Sequence, residues 1–218
     1  NFVIDGGFSD YIIVAAKTSD DEDQISLFIL DKNSDGLSIL PTVMVDHKNA
    51  ANIEFKDVSV PQTNLLGSEN CAKEIIEETL DISRAALSAE MLGGALEAFE
   101  ITLNYLKERE QFGEKIGTFQ ALQHRMVDTF MAYEQTKSLL LMCAAKLTDK
   151  SEEAKKAVSA LKYQVGIAAK HVGEESVQLH GGMGVTDETN IGHYFKRLTT
   201  IRAIFGNTDY HLKRYSAL

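Results

Sequence analysis

The hydrophobic period of this chain changes once, between Pro61 and Asn70, and that change constrains the fold more than any other feature. Before it, apolar residues come in short runs, at residues 2–4, 11–16, 25–30, 37–45 and 52–60. Between the runs lie Gly, Asn, Asp and Ser, the residues that turns require, so this part reads as strands of a small antiparallel meander. After Gly67 the apolar positions recur about every 3.6 residues over 72–110, 118–147 and 151–179, with a shorter stretch at 191–216. Gly113 and Gly117 end the first long stretch, Asp149 lies at the end of the second, and Gly181-Gly182 end the third. Four helices with short connections pack most economically as an up-and-down bundle. The expected fold is therefore α+β, a short antiparallel β segment over residues 1–66 followed by a four-helix bundle over 67–218. Gly93-Gly94 interrupts the first helix, and a close helix–helix approach there is the expected offset for their low propensity.

A bundle invites a carboxylate-bridged metal centre, which takes paired Glu-x-x-His motifs. Three residues before the six histidines stand Met44, Ala121, Ala168, Val177, Asn190 and Thr208, so no such pair exists and no metal is expected. No apolar run reaches the roughly 20 residues that span a bilayer. The formal charge of -10 opposes general nucleic-acid binding. Residues 1–81 hold five lysines and no arginine against sixteen acids, whereas the remainder holds seventeen basic and sixteen acidic residues. An anionic ligand is thus expected to meet the second part. Cys71 and Cys143 match neither a metal spacing nor a disulfide framework, and no secretory leader precedes the first run, so a cytoplasmic location is expected. Because the chain opens directly on a strand-like run, it reads as the C-terminal part of something longer.

Three segments stand apart from a generic bundle. Arg109-x-x-Phe112-Gly113 closes the first long helix and is followed by Phe119-Gln120. An Arg fork binds phosphate, and a neighbouring ring offers a face to a flat heterocycle. Gln178-x-x-Gly181-Gly182-x-Gly184 closes the third helix, where glycines let a backbone approach a pyrophosphate. Phe205-Gly206-Asn207-Thr208-Asp209-Tyr210 breaks the last helical stretch with a loop or a new helix start. Taken singly, each of the first two is as readily a helix terminator.

In this order, on a strand-then-bundle chain, these segments resemble the acyl-CoA dehydrogenase family. The resemblance extends to Ile53 through Pro61 and to Leu65-Leu66-Gly67, and it covers essentially the whole chain. It implies that residues 1–66 are the end of a middle β-barrel domain and 67–218 the C-terminal four-helix bundle. It also implies FAD-dependent α,β-dehydrogenation of an acyl-CoA thioester, with an electron-transfer flavoprotein or similar acceptor as partner and a dimeric or tetrameric assembly. Arg109, Phe112 and Gln120, with Gln178 and Gly182, then match the residues holding the ADP part of an FAD shared with a neighbouring subunit. Thr208 matches a flavin-contacting Thr, and Asp81 and Arg84 fit an Asp-x-x-Arg that shapes the CoA channel. An exposed i to i+3 ion pair accounts for those two equally well.

The chain departs from the family where the proton is removed. The usual catalytic Glu position reads Gly206, and the alternative position, one residue before the family Arg, reads Ser83. Asp209, three residues beyond Gly206, serves as a base only if the loop is remodelled. On the flavin side Ile4 has no side-chain donor, and Met44-Val45-Asp46 lacks the family's Arg. His193-Tyr-Phe-Lys-Arg197-Leu-Thr, with Phe205-Gly206-Asn207, resembles the small subunit of pimeloyl-CoA dehydrogenase-like enzymes. Two readings follow: an active dehydrogenase with a replaced base, or a non-catalytic partner subunit that lends FAD-binding surface to a homologue. In either, the chain by itself is not expected to retain FAD.

Overall fold

In a computed structural model, residues 2–21 and 24–218 are described. The chain divides into two compact units, Asn1–Thr79 and Leu80–Leu218. The first carries strands β1 (Phe2–Ile4), β2 (Tyr11–Lys17), β3 (Ile25–Asp31), β4 (Leu37–Val43), β5 (Asn49–Phe55) and β6 (Leu65–Leu66). They form two three-stranded antiparallel sheets, β1-β5-β4 and β2-β3-β6, rather than the single meander expected. Ile12 and Val14 of β2 pack with Leu37 and Ile39 of β4 and Ala51 and Ile53 of β5, so the alternating apolar residues of both sheets meet in one core. Pro41 lies opposite Ala51 on β4, an edge strand, where a missing N–H costs no ladder bond. The hairpin between β4 and β5 turns earlier than the apolar run implies. The Asp46 carboxylate accepts the Lys48 N–H at 3.3 Å, and the Met44 N–H reaches the Lys48 carbonyl at 2.8 Å. Val45 therefore belongs to the turn, and β5 starts at Asn49.

The helical elements are α1 (Ala72–Glu108), α2 (Gln120–Lys146), α3 (Glu152–His180), α4 (Ile191–Ile201) and α5 (Thr208–Ala217). The three long ones match the periodic stretches to within two residues at each end. The last stretch is two helices, because Phe205 and Gly206 have φ of +58° and +104°, outside any right-handed helix. Asn207 then starts α5 afresh, its side chain accepting the Tyr210 N–H at 2.9 Å. Ser151 caps α3 in the same way through the Ala154 N–H at 3.2 Å, and Glu152 and Glu153 in the first turn complement the helix dipole.

The bundle core of the second unit gathers Met91, Leu92, Ala95 and Ala98 of α1, Val165, Ala169 and Val172 of α3, and Ile191, Leu198 and Ile201 of α4, with Tyr133 of α2. A second cluster, Leu106, Met126 and Leu179, joins α1, α2 and α3 at the end where α1 and α3 terminate. The close approach expected at Gly93-Gly94 is absent. A Cβ on Gly93 would meet nothing within 4 Å, and one on Gly94 would meet Leu198 at an ordinary 3.5 Å. The tight contact falls instead at Gly166 of α3, where a Cβ would lie 2.8 Å from the Thr208 methyl.

Candidate functional site

Arg109 leaves α1 one residue after its last turn, and the chain reverses through a small hairpin, β7 (Glu110–Gln111) and β8 (Glu114–Lys115). The two residues between these strands are Phe112 and Gly113, with φ of +60° and +84°. Positive φ at both central positions marks a type I′ turn, which Asn-Gly or Gly-Gly adopts without strain and a phenylalanine does not. Phe112 is 93% exposed at the hairpin tip, its ring touched edge-on by Phe119 at 6.2 Å. A strained, solvated aromatic contributes little to folding, so its presence points to a ligand.

Behind the hairpin a cleft of about 490 Å³ runs between the ends of α1 and α3 and the start of α2. It is lined by Arg109 and Tyr105 of α1, Arg125 of α2, and the Gln178-to-Met183 segment of α3. The structure thus brings Arg109, Gln178 and Gly182 together from positions seventy residues apart in the chain. A Cβ on Gly181 or Gly182 would meet nothing within 4 Å, so the backbone there is open to an approaching group. Gly181, with φ of +58°, ends α3 by returning its N–H to the Gln178 carbonyl.

Arg125, Tyr105 and His180 are among the cleft residues that carried no assigned role in the sequence. Arg125 is held by an ion pair to Glu175 at 2.5 Å, which raises its pKa. The Tyr105 ring stacks on the His180 ring at 4.3 Å, and the Tyr105 hydroxyl donates to the His180 carbonyl at 3.4 Å. His180 is buried, which lowers its pKa, and its Nδ1 bonds the Ser176 carbonyl at 2.7 Å. Tyr105 stands one helical turn before Arg109, a spacing that signals a shared face. Phe112, Gln120 and Thr208 are not among the residues lining the cleft. Gln120 is exposed at the first position of α2, and Thr208 is the first residue of α5.

Asp81 and Arg84 form a second cluster, and they are not the exposed pair that their spacing also allowed. Both are buried, 7% and 3% exposed. Arg84 donates to Asp81 Oδ1 at 2.8 Å, and Arg214 of α5 donates to Asp81 Oδ2 at 2.7 Å. The same Arg84 guanidinium donates to the Phe205 carbonyl at 3.2 Å and to the Tyr210 hydroxyl at 3.3 Å, and it lies 5.7 Å from the Tyr210 ring centroid. His211 Nε2 donates to the Phe205 carbonyl at 3.1 Å, which leaves Nδ1 buried without a hydrogen bond among the described residues. Burial first, then the charges of Arg84, Lys162 and Arg214, bring the His211 pKa down to about 4. Lys162, 1% exposed, caps the end of α4 through the Ile201 and Arg202 carbonyls at 3.3 and 3.2 Å. Its ammonium is brought down to about 8 by burial and by the repulsion of Arg202 and Arg84.

These buried donors hold the loop that contains Gly206. A Cβ on Gly206 would collide with the Tyr210 ring and come within 2.9 Å of His211 Nε2. Ser83 is half-buried on α1, and Asp209 is exposed in the first turn of α5. Cys143 is fully buried, which pushes its thiol up to about 11 and leaves it unreactive. Among the described residues no three His, Cys, Asp or Glu side chains converge as a metal site. Nor is any helix among the described residues long and apolar enough to cross a membrane.

Known proteins place this architecture. The butyryl-CoA dehydrogenase of Megasphaera elsdenii superposes with a TM-score of 0.90 at 26% identity, over 99% of this chain and 57% of its own. The structure of PigA with FAD and proline gives 0.91 at 25% identity, over 98% and 57%. Among curated sequences, caffeyl-CoA reductase-Etf complex subunit CarC of Acetobacterium woodii is 31% identical over 203 residues, 89% of this chain and 52% of that protein. The chain spans about half the length of the curated relatives it matches. The family model described as acyl-CoA dehydrogenase, C-terminal domain, matches residues 74–217, from the first turn of α1 to the last residue of α5. Its sequence and its fold agree on this point: the chain belongs to the acyl-CoA dehydrogenase family.

Proposed function

We infer that this chain supplies the nucleotide-gripping helical domain of an FAD-dependent acyl-CoA dehydrogenase, acting on an acyl thioester and passing electrons to an electron-transfer flavoprotein or similar acceptor. The observation that carries this reading is the convergence of Arg109, Gln178 and Gly182 on one cleft beside the strained Phe112. The donor set fits the diphosphate part of FAD. A guanidinium supplies positive charge and two parallel donors, the Gln178 amide supplies a donor and an acceptor, and the open backbone at Gly181-Gly182 admits a bulky anion. Phe112 offers its ring face to a flat heterocycle, with Gln120 on the adjoining helix start and Thr208 toward the flavin end. The bound FAD supplies a two-electron acceptor for the hydride leaving the β-carbon. Asp81 holds Arg84, and Arg84 fixes the 205–210 loop, which borders the acyl group. In an assembled dimer or tetramer in the cytoplasm, this cleft faces a cofactor shared with a neighbouring subunit.

A second reading, that of a partner subunit without a base, is favoured by one observation. The room that a side chain at position 206 would need is taken by Tyr210, so no carboxylate enters there without moving the loop.

Both readings are tested with the full-length protein, purified alone and with a co-expressed homologue, by reduction of a dye acceptor on addition of acyl-CoA. Turnover alone establishes the first reading, and turnover only in the pair establishes the second. In either preparation Arg109→Ala is expected to lower retained flavin by about tenfold, the effect of losing one charge-assisted contact. Unchanged retention would exclude the cleft as the nucleotide site.

A further inference from the structure

His180 is the last residue of α3, one position before the open Gly181-Gly182 backbone, and it lines the same cleft. Two contacts fix its ring. One face lies against the Tyr105 ring at 4.3 Å, with 23° between the planes, and Nδ1 bonds the Ser176 carbonyl at 2.7 Å. A carbonyl oxygen only accepts, so Nδ1 carries the proton and donates it. Burial favours the uncharged ring, and in that form Nε2 presents a lone pair. Nε2 has no hydrogen bond among the described residues. The nitrogens that are both sealed and unbonded there are Arg202 Nε and His211 Nδ1, so Nε2 of the 3% exposed His180 keeps access to the cleft. A cleft whose charged ligand groups are Arg109 and Arg125 thus also holds one neutral acceptor. Such an acceptor repels a phosphate oxygen and needs a donor on the ligand.

We propose that His180 Nε2 accepts a hydrogen bond from a ribose hydroxyl of the adenosine half of the bound dinucleotide, and so selects a ribonucleotide over its deoxy counterpart. This rests on the reading of the cleft as a nucleotide grip and names a further contact within it. The order of the groups agrees. Arg109 and the Gly181-Gly182 backbone take the diphosphate, Phe112 at the hairpin tip offers its face to the base, and the sugar joins the two. The ribose hydroxyls are the donors nearest the diphosphate in the ADP half, and His180 is the residue next to the glycines. A deoxy sugar leaves the lone pair of a buried ring without a partner, which is the costly arrangement.

Flavin-stripped full-length protein, with its homologue if one is needed, is titrated with ADP, 2′-deoxy-ADP and 3′-deoxy-ADP, and each dissociation constant is read from competition with the rebinding of FAD. ADP is expected to bind about fivefold more tightly than the analogue that lacks the bonded hydroxyl, the usual effect of one neutral hydrogen bond. His180→Phe keeps a ring against Tyr105, and His180→Leu keeps only apolar bulk; neither offers an acceptor, so each is expected to bind the three nucleotides equally. A merely structural role for His180 would weaken all three together and leave the preference in place. Equal affinities in the parent protein, which need no variant, or a preference that survives the loss of His180, overturn the inference and leave the nucleotide reading intact. Failure of ADP to compete with FAD overturns that reading, and the inference with it.

Discussion

At Phe112 a cost to folding stands against a proposed role in ligand binding. A non-glycine residue in the left-handed region costs about 1–2 kcal/mol, and the exposed ring recovers little of it. Phe112→Gly is therefore expected to leave stability within about 1 kcal/mol of the parent, since the relief of strain offsets the greater freedom of the unfolded glycine. Flavin affinity is expected to fall about tenfold, the usual effect of losing one stacking ring. Thermal unfolding and flavin titration of the same variant separate the two, and a large loss of stability with unchanged affinity would make Phe112 structural. Arg109, Phe112 and Gln178 could be singled out in the sequence because each stands within four residues of a glycine that marks a helix end. Tyr105, Arg125 and His180 were not singled out: Tyr105 shares a helix face with Arg109, but spacing along one helix does not show which other helices border that face. Nor could an i to i+3 pair of Asp81 and Arg84 be known as buried before Arg214 arrived from α5.

At the scale of elements, α3 decides how α5 is seated. Gly166 lies against the Thr208 methyl at a distance that leaves no room for a Cβ. Gly166→Ala is expected to displace the start of α5 and destabilise the protein by about 1–3 kcal/mol. The same substitution in a Thr208→Ser background, which lacks the methyl, is expected to cost at least about 1 kcal/mol less. Chemical denaturation of the four proteins measures the coupling, and an additive result would disprove the contact. The long helices were readable from period and caps alone. The break at 202–207 was readable as a break, since Gly206-Asn207 is a turn signal, but its consequence was not. Only packing against α1 and α3 shows that the loop is clamped and that Tyr210 fills the space beside Gly206. The expected close approach at Gly93-Gly94 failed for a related reason: low propensity marks a place where backbone contact is allowed, and a neighbouring helix must still choose it.

For the whole molecule, the dependence of stability on pH draws on basic groups buried in one unit, His211 and Lys162 among them. His211, with a pKa near 4 against 6.5 in the unfolded chain, is bound by a proton in the unfolded state before the folded one as pH falls. The contribution of His211 is therefore complete above about pH 6.5 and is lost as pH falls toward 4. Lys162, near 8 against 10.5, is neutral in the fold while still charged in the unfolded chain, so stability rises between those values. Denaturant midpoints across pH 4–7 are expected to fall steeply for the parent and more gently for His211→Gln, which keeps a donor for the Phe205 carbonyl but does not titrate. Parallel curves would show that other groups govern acid unfolding.

The sequence by itself determined the strand-to-helix order, the three long helices and the residue types on which the proposed nucleotide grip rests, because period, caps and turn chemistry are local properties. It did not determine the pairing of the strands into two sheets or the burial of the Asp81–Arg84–Arg214 cluster. Nor did it determine the cleft that unites Arg109 with Gln178, or the seat of Tyr210. Those depend on which surfaces meet once apolar faces leave water, and contacts between distant segments carry no periodic signature along the chain.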